Sequence, residues 1–237
     1  GAPKLKFGIV VFPGTWSERD THHAVNGVLG QAAEYIWHGD EALGQYDAII
    51  IPGGFSYGDF LRAGAIARFS PVMEAVRQFA DNGGPVLGIC NGFQVLCESG
   101  LLPGVLMRNE HLEFRCIWTD LKVENDSTMF TSKATTGETL HIPMSHGEGN
   151  YQADHATIDQ LEGNGQIVLR YADSSGKVTP DINPNGSIHN IAGIVNERGN
   201  VMGMMPHPEK ASEKLIGGDD GNVIFNSLIE SFAASLA

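Results

Sequence analysis

A cysteine at position 90 has the sequence surroundings of a nucleophile. Gly88 and Gly92 flank Cys90 two positions away on either side, an apolar strand pattern precedes it and a helical pattern follows. A sharp strand-to-helix turn needs small neighbours, because side chains there would collide with the turn or with adjoining strands. Such a turn presents the thiol at the carboxyl end of a sheet and at the positive end of a helix, which favours the attacking thiolate. Most cysteines are small buried hydrophobes, but these glycines favour a nucleophile.

A thiolate that attacks an amide needs a base that also returns a proton to the departing ammonia, and histidine titrates in the right range. Nine histidines are present, but His207 stands out because it lies between Pro206 and Pro208 and is followed by Glu209. Pro208 disfavours helix at His207, and in an extended chain residues two apart point the same way. The sequence therefore predicts that Glu209 orients the His207 ring towards Cys90. A solvated turn with a surface salt contact is the alternative for this pair.

The attack creates a negative oxygen that backbone amides typically stabilise. Asn91 follows the nucleophile and is predicted to supply one amide. The turn at residues 52–54 follows the preceding strand of the predicted sheet, and Gly54 is predicted to supply the second. These glycines could instead simply permit a tight loop.

The rest of the chain predicts the frame that carries these residues. Apolar strand patterns alternate with helical patterns in the first hundred residues, which is typical of βαβ units. Beyond Gly100 strands follow each other mostly without long helices. We expect an α/β fold with a doubly wound, mostly parallel central sheet flanked by helices, a strand-rich second half, and a single domain over residues 1–237. Strands are predicted at residues 6–12, 33–37, 46–51, 85–89, 114–123, 139–144, 166–171, 191–196 and 201–205, helices at 20–29, 71–82, 93–98 and 222–236, and an exposed loop at 174–187.

The composition limits which partners and which cellular compartment are expected. The chain carries 28 acidic against 15 basic residues, a formal net charge of −13, so a nucleic-acid backbone would be repelled. No apolar run reaches membrane-spanning length and the first residues lack a signal-peptide layout, which predicts a soluble cytoplasmic protein without a membrane partner. Three cysteines without a CxxC pair predict neither a disulfide framework nor a zinc site, and no other metal-type spacing occurs. We predict no metal and no cofactor in this chain.

With Cys90, His207 and Glu209 in this order, the chain resembles the class I, or triad, glutamine amidotransferases. Residues 88–94 match their Gly-x-Cys-x-Gly-x-Gln signature. The resemblance implies that glutamine is hydrolysed to glutamate and ammonia through a thioester on the cysteine. It also implies that Gln94, with the segment Ser145, His146 and Gly147, helps to hold the amino-acid end of glutamine.

Within that class the chain is similar to the small stand-alone glutaminase subunits of phosphoribosylformylglycinamidine synthase, a purine-biosynthesis enzyme. That resemblance implies that ammonia passes to a separate synthetase subunit, which uses ATP, and the magnesium expected with it, to convert formylglycinamide ribonucleotide into its amidine. A small accessory subunit assists assembly. The matching segments are residues 52–59, 63–68, 146–150 and 203–209.

Two further features bear on the partner. The chain lacks a P-loop or a basic phosphate-binding run, so the ATP chemistry must lie elsewhere. Residues 55–68 are the candidate for partner contact, with an ordinary loop and helix start as the alternative. One departure from the family falls at Thr15, Trp16 and Ser17, where its members often have Ser-Asn-Cys; it puts neighbouring contacts in doubt rather than the chemistry.

Three alternative functions stay open on the sequence. The chain could be the glutaminase of another amidotransferase pathway. It could also resemble cysteine hydrolases and chaperone-like proteins of similar fold, in which the thiol has other partners, so that His207 would lie far from Cys90. Finally, it could be a catalytically silent module that binds a partner.

Overall fold

The structure is a computed structural model that describes residues 4–54, 70–110 and 115–237, the side chains of residues 115 and 116 excepted. Residues 55–68, predicted to contact the partner, lie outside the described residues. In the described part the strands are β1 (Lys6–Val11), β2 (Ala32–Trp37), β3 (Ala48–Ile51), β4 (Val86–Ile89), β5 (Val105–Met107), β6 (Arg115–Val123), β7 (Thr139–His146), β8 (Asn150–Gln152), β9 (Ile167–Ala172), β10 (Ile191–Val195) and β11 (Val201–Met204). The α-helices are α1 (Glu18–His22), α2 (Pro71–Asp81), α3 (Asn91–Glu98), α4 (His155–Gly163) and α5 (Asn222–Ser235).

Nine of the described strands form one mixed sheet in the order β2-β1-β3-β4-β11-β10-β9-β6-β7. Neighbours from β2 to β11 are parallel, and those from β11 to β7 are antiparallel. The strand-rich second half thus extends the same sheet with reversed strand directions. This confirms the predicted α/β fold with a doubly wound sheet; β5 and β8 form a separate antiparallel pair.

The parallel half brings three chain segments to one edge. β3 and β4 are buried along their whole length, as apolar runs without alternation predict. Gly88 of β4 pairs with Ile51 of β3 on one side and with Gly203 of β11 on the other. Because these strands are parallel and in register, the turns that follow them emerge side by side. Those turns carry Gly54, Cys90 and His207.

Most predicted elements occur within a few residues of their expected bounds, and four features differ. The predicted helix at residues 20–29 is α1 followed by a π-helical segment, His23–Val28. Helix α4 was not predicted; it begins where the Asp154 carboxylate accepts a hydrogen bond from the Thr157 N–H at 2.7 Å. The three-residue strands β5 and β8 are too short to leave a periodic pattern. The prediction of an exposed loop at residues 174–187 is wrong at Asn185 and Ser187, which are buried.

Candidate active site

Cys90 occupies the turn between β4 and α3 in a strained backbone conformation. Its φ is 55° and its ψ −110°, a combination that a residue other than glycine adopts at a cost. A Cβ atom added to Gly92 would lie 1.8 Å from the Ile51 carbonyl oxygen, and one added to Gly88 would lie 2.6 Å from the Gly92 oxygen. Both glycines are therefore required by close backbone packing. The predicted strand, turn and helix around Cys90 are present.

His207 and Glu209 form a buried pair at the end of β11. The imidazole Nδ1 lies 2.5 Å from Glu209 Oε1, with 1% of His207 and 2% of Glu209 exposed. His207 is extended, with φ −102° and ψ 91°, before a single 3-10 turn, Pro208–Lys210. A carboxylate only accepts, so Nδ1 carries the hydrogen and Nε2 is left for another partner. The predicted orientation is observed, and the alternative of a solvated surface contact is excluded by the burial.

Cys90 and His207 both lie on the side of Gly53 where a side chain would stand. A Cβ atom at Gly53 would approach Cε1 of His207 to 2.7 Å and Cβ of Cys90 to 3.3 Å. The imidazole and the cysteine therefore lie around the same position. Nε2 of His207 is buried and has no nitrogen or oxygen partner in the described part of the chain. Thiol and imidazole are therefore neighbours, as the proposed chemistry requires.

The charge state of His207 follows from this environment. Burial alone would lower the pKa of His207, but the nearby negative charges of Glu209 and Cys90, with the hydrogen bond to Glu209, outweigh it and raise the pKa to about 10. His207 is thus held as an imidazolium at neutral pH. In that state it can pair with a thiolate and can give a proton to a leaving group.

The end of β7 forms the opposite wall of the site. Sγ of Cys90 lies 3.5 Å from the Ser145 carbonyl oxygen, and the His207 N–H donates to the Pro143 oxygen at 2.7 Å. In the sheet β7 is four strands away from β11, a distance of about 19 Å if the sheet were flat. The antiparallel half must therefore curl over the carboxyl edge of the parallel half, which encloses the thiol.

The two predicted oxyanion donors lie beside the thiol. Asn91 is the first residue of α3, directly after Cys90. Gly54 follows Gly53, which touches Cys90, and has a φ of +148°. Among the described residues the Gly54 N–H donates to no other group. The positions suit a pair of donors, and their role stays a prediction.

Gln94 connects α3 with the segment after β7. Its Nε2 donates to the Glu148 carbonyl oxygen at 2.6 Å, and its Oε1 accepts from Asn91 Nδ2 at 3.0 Å. The side chain is buried and both ends of its amide are bonded within the protein. This places Gln94 beside residues 145–148, as the resemblance implies, while direct contact with glutamine stays a prediction.

His146 is buried behind the site and is held as a neutral ring. The Gly149 N–H donates to Asn109 Oδ1 at 3.0 Å, so that oxygen is an acceptor and the His146 Nδ1, 3.2 Å from it, must carry a hydrogen. On the other side of the ring, Asn185 Nδ2 lies 3.5 Å from Nε2 and donates to the Tyr171 hydroxyl at 3.2 Å. Burial and the nearby positive His207 lower the pKa of His146 to about 3.

Asn109, Asn185 and Tyr171 support the site but were not predicted from the sequence. The backbone of the same turn is fixed by Asn109, whose Nδ2 donates to the His146 oxygen at 3.0 Å and whose N–H donates to the Gly147 oxygen at 2.8 Å. Tyr171 is close enough to Cys90 for the thiolate charge to add to burial in raising the pKa of the phenol. The asparagines lie in irregular segments without periodicity, so no local signal marks them.

The described residues contain neither a cluster of potential metal ligands nor a membrane-spanning helix. No group of three or more histidine, cysteine, aspartate or glutamate side chains there is arranged to hold a metal ion. None of the helices formed by those residues is both long and apolar enough to cross a bilayer. The predicted absence of a metal and of a cofactor stays a prediction.

The fold and the site indicate a glutamine amidotransferase. Comparison with known proteins agrees with this class, since residues 4–217 match the model of the CobB/CobQ-like glutamine amidotransferase domain. Phosphoribosylformylglycinamidine synthase subunit PurQ of Moorella thermoacetica is 58% identical over 226 residues, 95% of this chain and 96% of that protein. The subunit of the same name from Salinibacter ruber is 58% identical over 224 residues, 94% of this chain and 95% of that protein. A chain in the structure of PurLQS from Thermotoga maritima is 42% identical with a TM-score of 0.85, covering 97% of this chain and 100% of that one. The chain therefore belongs to the PurQ family of glutamine amidotransferases.

Family and geometry decide between the alternatives. The other cysteine hydrolases of similar fold require His207 to lie away from Cys90, yet the two side chains flank Gly53. High identity over nearly the whole chain favours the PurQ subunits over the glutaminases of other pathways. A silent binding module would have no need of a buried, charged His207.

Proposed function

We propose that this chain is the glutaminase subunit of a phosphoribosylformylglycinamidine synthase, with Cys90 as nucleophile, His207 as proton carrier and Glu209 as the group that orients His207. The observation that carries the proposal is the buried contact of 2.5 Å between His207 Nδ1 and Glu209 Oε1. The His207 ring lies beside Gly53, as does Cys90. It occurs in a chain 58% identical to two subunits of that name.

The first half of the reaction forms a thioester. The Cys90 thiolate attacks the side-chain amide carbon of glutamine, a C–S bond forms, and the carbonyl π electrons move to oxygen. The N–H groups of Gly54 and Asn91 stabilise that negative oxygen. When the tetrahedral intermediate collapses, the C–N bond breaks and the nitrogen leaves as ammonia with a proton from His207 Nε2.

The second half regenerates the thiolate. Neutral His207 takes a proton from water, whose oxygen attacks the thioester carbon, and the same oxyanion donors stabilise the second intermediate. The C–S bond then breaks with its electrons on sulfur, leaving glutamate, a thiolate and a protonated His207. Glu209 stabilises the imidazolium in both halves, because its carboxylate lies against Nδ1 in a buried site.

Glutamine binding is assigned to Gln94 and to Ser145, His146 and Gly147. The side chains of Gln94 and His146 are occupied by protein partners, so their contribution is to hold the chain from residue 145 to 148. The groups offered to the amino-acid end of glutamine are then backbone groups of that turn.

The ammonia is delivered to a synthetase subunit. The solved relative is part of a PurLQS assembly, and we assign this chain the corresponding partners: a PurL synthetase and a small PurS subunit. ATP and magnesium belong to the synthetase, which converts formylglycinamide ribonucleotide to the amidine. We place this chemistry in the cytoplasm, with no cofactor in the glutaminase itself.

The test measures ammonia release from glutamine by the chain alone and then with its synthetase, accessory subunit and nucleotide. Cys90→Ser should abolish release in the complete assembly. Cys97→Ser is the matched control, since Cys97 lies on the helix that follows Cys90, but its thiol points to the Pro103 carbonyl at 3.8 Å and burial raises its pKa. Residual glutaminase activity of Cys90→Ser would contradict the mechanism, and strong turnover without the synthetase would contradict the assignment to a coupled subunit.

A further inference from the structure

The segment at residues 14–17 lies against the turn that carries Gly54. The N–H groups of Trp16 and Ser17 both donate to the Gly53 carbonyl oxygen, at 3.3 and 3.2 Å, and Thr15 forms an isolated antiparallel bridge with Gly54. Two donors on one carbonyl fix both its position and its direction. This segment contains the departure from the family pattern.

The packing between the two segments is backbone against backbone. A Cβ atom at Gly54 would lie 2.6 Å from both the Gly14 oxygen and the Thr15 Cα, and 2.8 Å from the Trp16 nitrogen. Backbone atoms cannot turn aside as a flexible side chain can, so the two segments hold each other in one arrangement.

The direction of the Gly53 carbonyl determines the direction of the Gly54 N–H. The two groups belong to one planar trans peptide, in which they point in opposite directions. Because the oxygen is held on the side of residues 15–17, the N–H is turned away from that segment. A Cβ atom at Gly53 would face Cys90 and His207, so this peptide lies next to the catalytic side chains.

We propose that residues 15–17 are a backbone brace that positions the Gly54 oxyanion donor. The brace rests on the proposed function, since it serves the oxygen formed when Cys90 attacks glutamine. Its working groups are the N–H groups of Trp16 and Ser17, which are positioning groups and do not touch the substrate.

The Ser17 side chain takes no part in the brace. Only 1% of the residue is exposed, yet its hydroxyl has no hydrogen-bond partner among the described residues and does not cap α1. Removal of a buried hydroxyl without a partner costs little and can stabilise. Ser17→Ala therefore leaves the backbone N–H in place and is the reference for a change of the backbone itself.

The experiment compares two chains that differ in one backbone atom. In the Ser17→Ala background, lactic acid incorporated at position 17 replaces the N–H by an ester oxygen and keeps the methyl side chain. Ser17→Pro is a second route to loss of the same N–H. Both are assembled with the synthetase and accessory subunit, and glutamine turnover is measured together with the rate at which iodoacetamide alkylates Cys90. Alkylation is a displacement at a saturated carbon and needs the thiolate but no oxyanion donor.

If residues 15–17 position the oxyanion donor, glutamine turnover should fall while the rate of Cys90 alkylation stays the same. The ester should lower kcat about 10-fold or more relative to Ser17→Ala, since loss of a whole oxyanion donor costs about 10²–10³, with KM and the alkylation rate within about two-fold. Equal kcat values in the alanine and ester chains would overturn the brace. An equal fall in turnover and in alkylation would also overturn it, because the segment would then support the thiol. If wild type and Ser17→Ala released no ammonia from glutamine, the proposed function itself would fail, and the brace with it.

Discussion

Two buried histidines of the same site have opposite charge states. His207 and His146 are 1% and 3% exposed, and burial favours the neutral form of both. Glu209 and Cys90 raise the pKa of His207 to about 10, whereas the described side chains within hydrogen-bonding reach of His146 are neutral amides and its pKa falls to about 3. The charge of the neighbouring groups, and not the extent of burial, therefore decides which ring is positively charged.

The difference divides the site into a reacting part and a supporting part. His207 has an Nε2 with no nitrogen or oxygen partner among the described residues and a carboxylate at Nδ1, the arrangement that proton transfer needs. His146 has Asn109 at Nδ1 and Asn185 near Nε2, so neither nitrogen is open to a substrate. Its neutrality also protects the imidazolium of His207, because a second positive charge nearby would repel it.

The largest expected effect comes from removal of the charge behind His207. Glu209→Gln keeps the shape but loses the negative charge, so the pKa of His207 should fall and glutamine turnover by the complete assembly should drop about 10²–10⁴-fold. The alkaline limb of the rate profile, where His207 loses its proton, should move to lower pH. Steady-state ammonia release measured against pH checks both effects.

Glu213→Gln is the matched control for that change. Glu213 Oε1 lies 2.6 Å from His23 Nε2, an equally short contact, but this pair is at the surface. Exposed pairs contribute little, so turnover and its pH profile should be unchanged. Similar losses in both variants would show that the effect is not specific to the pair at the site.

An intermediate effect is expected when the supporting part is given a charge. Asn109→Asp places a carboxylate at the His146 Nδ1 and should raise the pKa of His146 by about 1–3 units. His146 should then gain its proton below about pH 6, so turnover should fall in mild acid, while the alkaline limb, where His146 is neutral, should stay in place. Imidazole resonances followed by NMR against pH report both rings.

Asn125→Asp is the control for Asn109→Asp, since Asn125 also donates a side-chain hydrogen bond to a backbone oxygen, that of Gly165, but on the surface. It should leave both imidazole titrations in place. An unchanged His146 titration in Asn109→Asp would contradict the account of its neutral state.

The reacting part of the site could be predicted from sequence because its signals are local. The two glycines around Cys90 indicate the close backbone packing of one turn. Pro208, with Glu209 two positions after His207, indicates an extended chain at His207. Family resemblance added Gln94 and residues 145–147, whose position beside the thiol depends on the curl of the antiparallel half. Their role in binding glutamine stays a prediction.

The supporting part could not be predicted because it depends on long-range closure of the sheet. Asn109 and Asn185 meet His146 from segments 37 and 39 residues away in the chain, and neither segment has a period. The exposed loop expected at residues 174–187 is wrong at Asn185 for the same reason, since a polar, glycine-rich stretch has the composition of a surface loop. Here it supplies a buried amide to a buried ring.

The smallest expected effect is on stability in mild acid. A histidine whose folded-state pKa lies below its unfolded value binds more protons when unfolded, so stability falls as pH drops from about 6.5 towards 3. Between pH 6.5 and 5 this amounts to about 1–2 kcal/mol for His146, and the carboxylates whose pKa is lowered lose their contributions only at more acid pH. His146→Asn, which keeps a donor for Asn109, should remove that loss. Urea unfolding of both chains at pH 6.5 and pH 5 measures it, and the same decrease in both would show that another group, and not a neutral His146, causes the acid sensitivity.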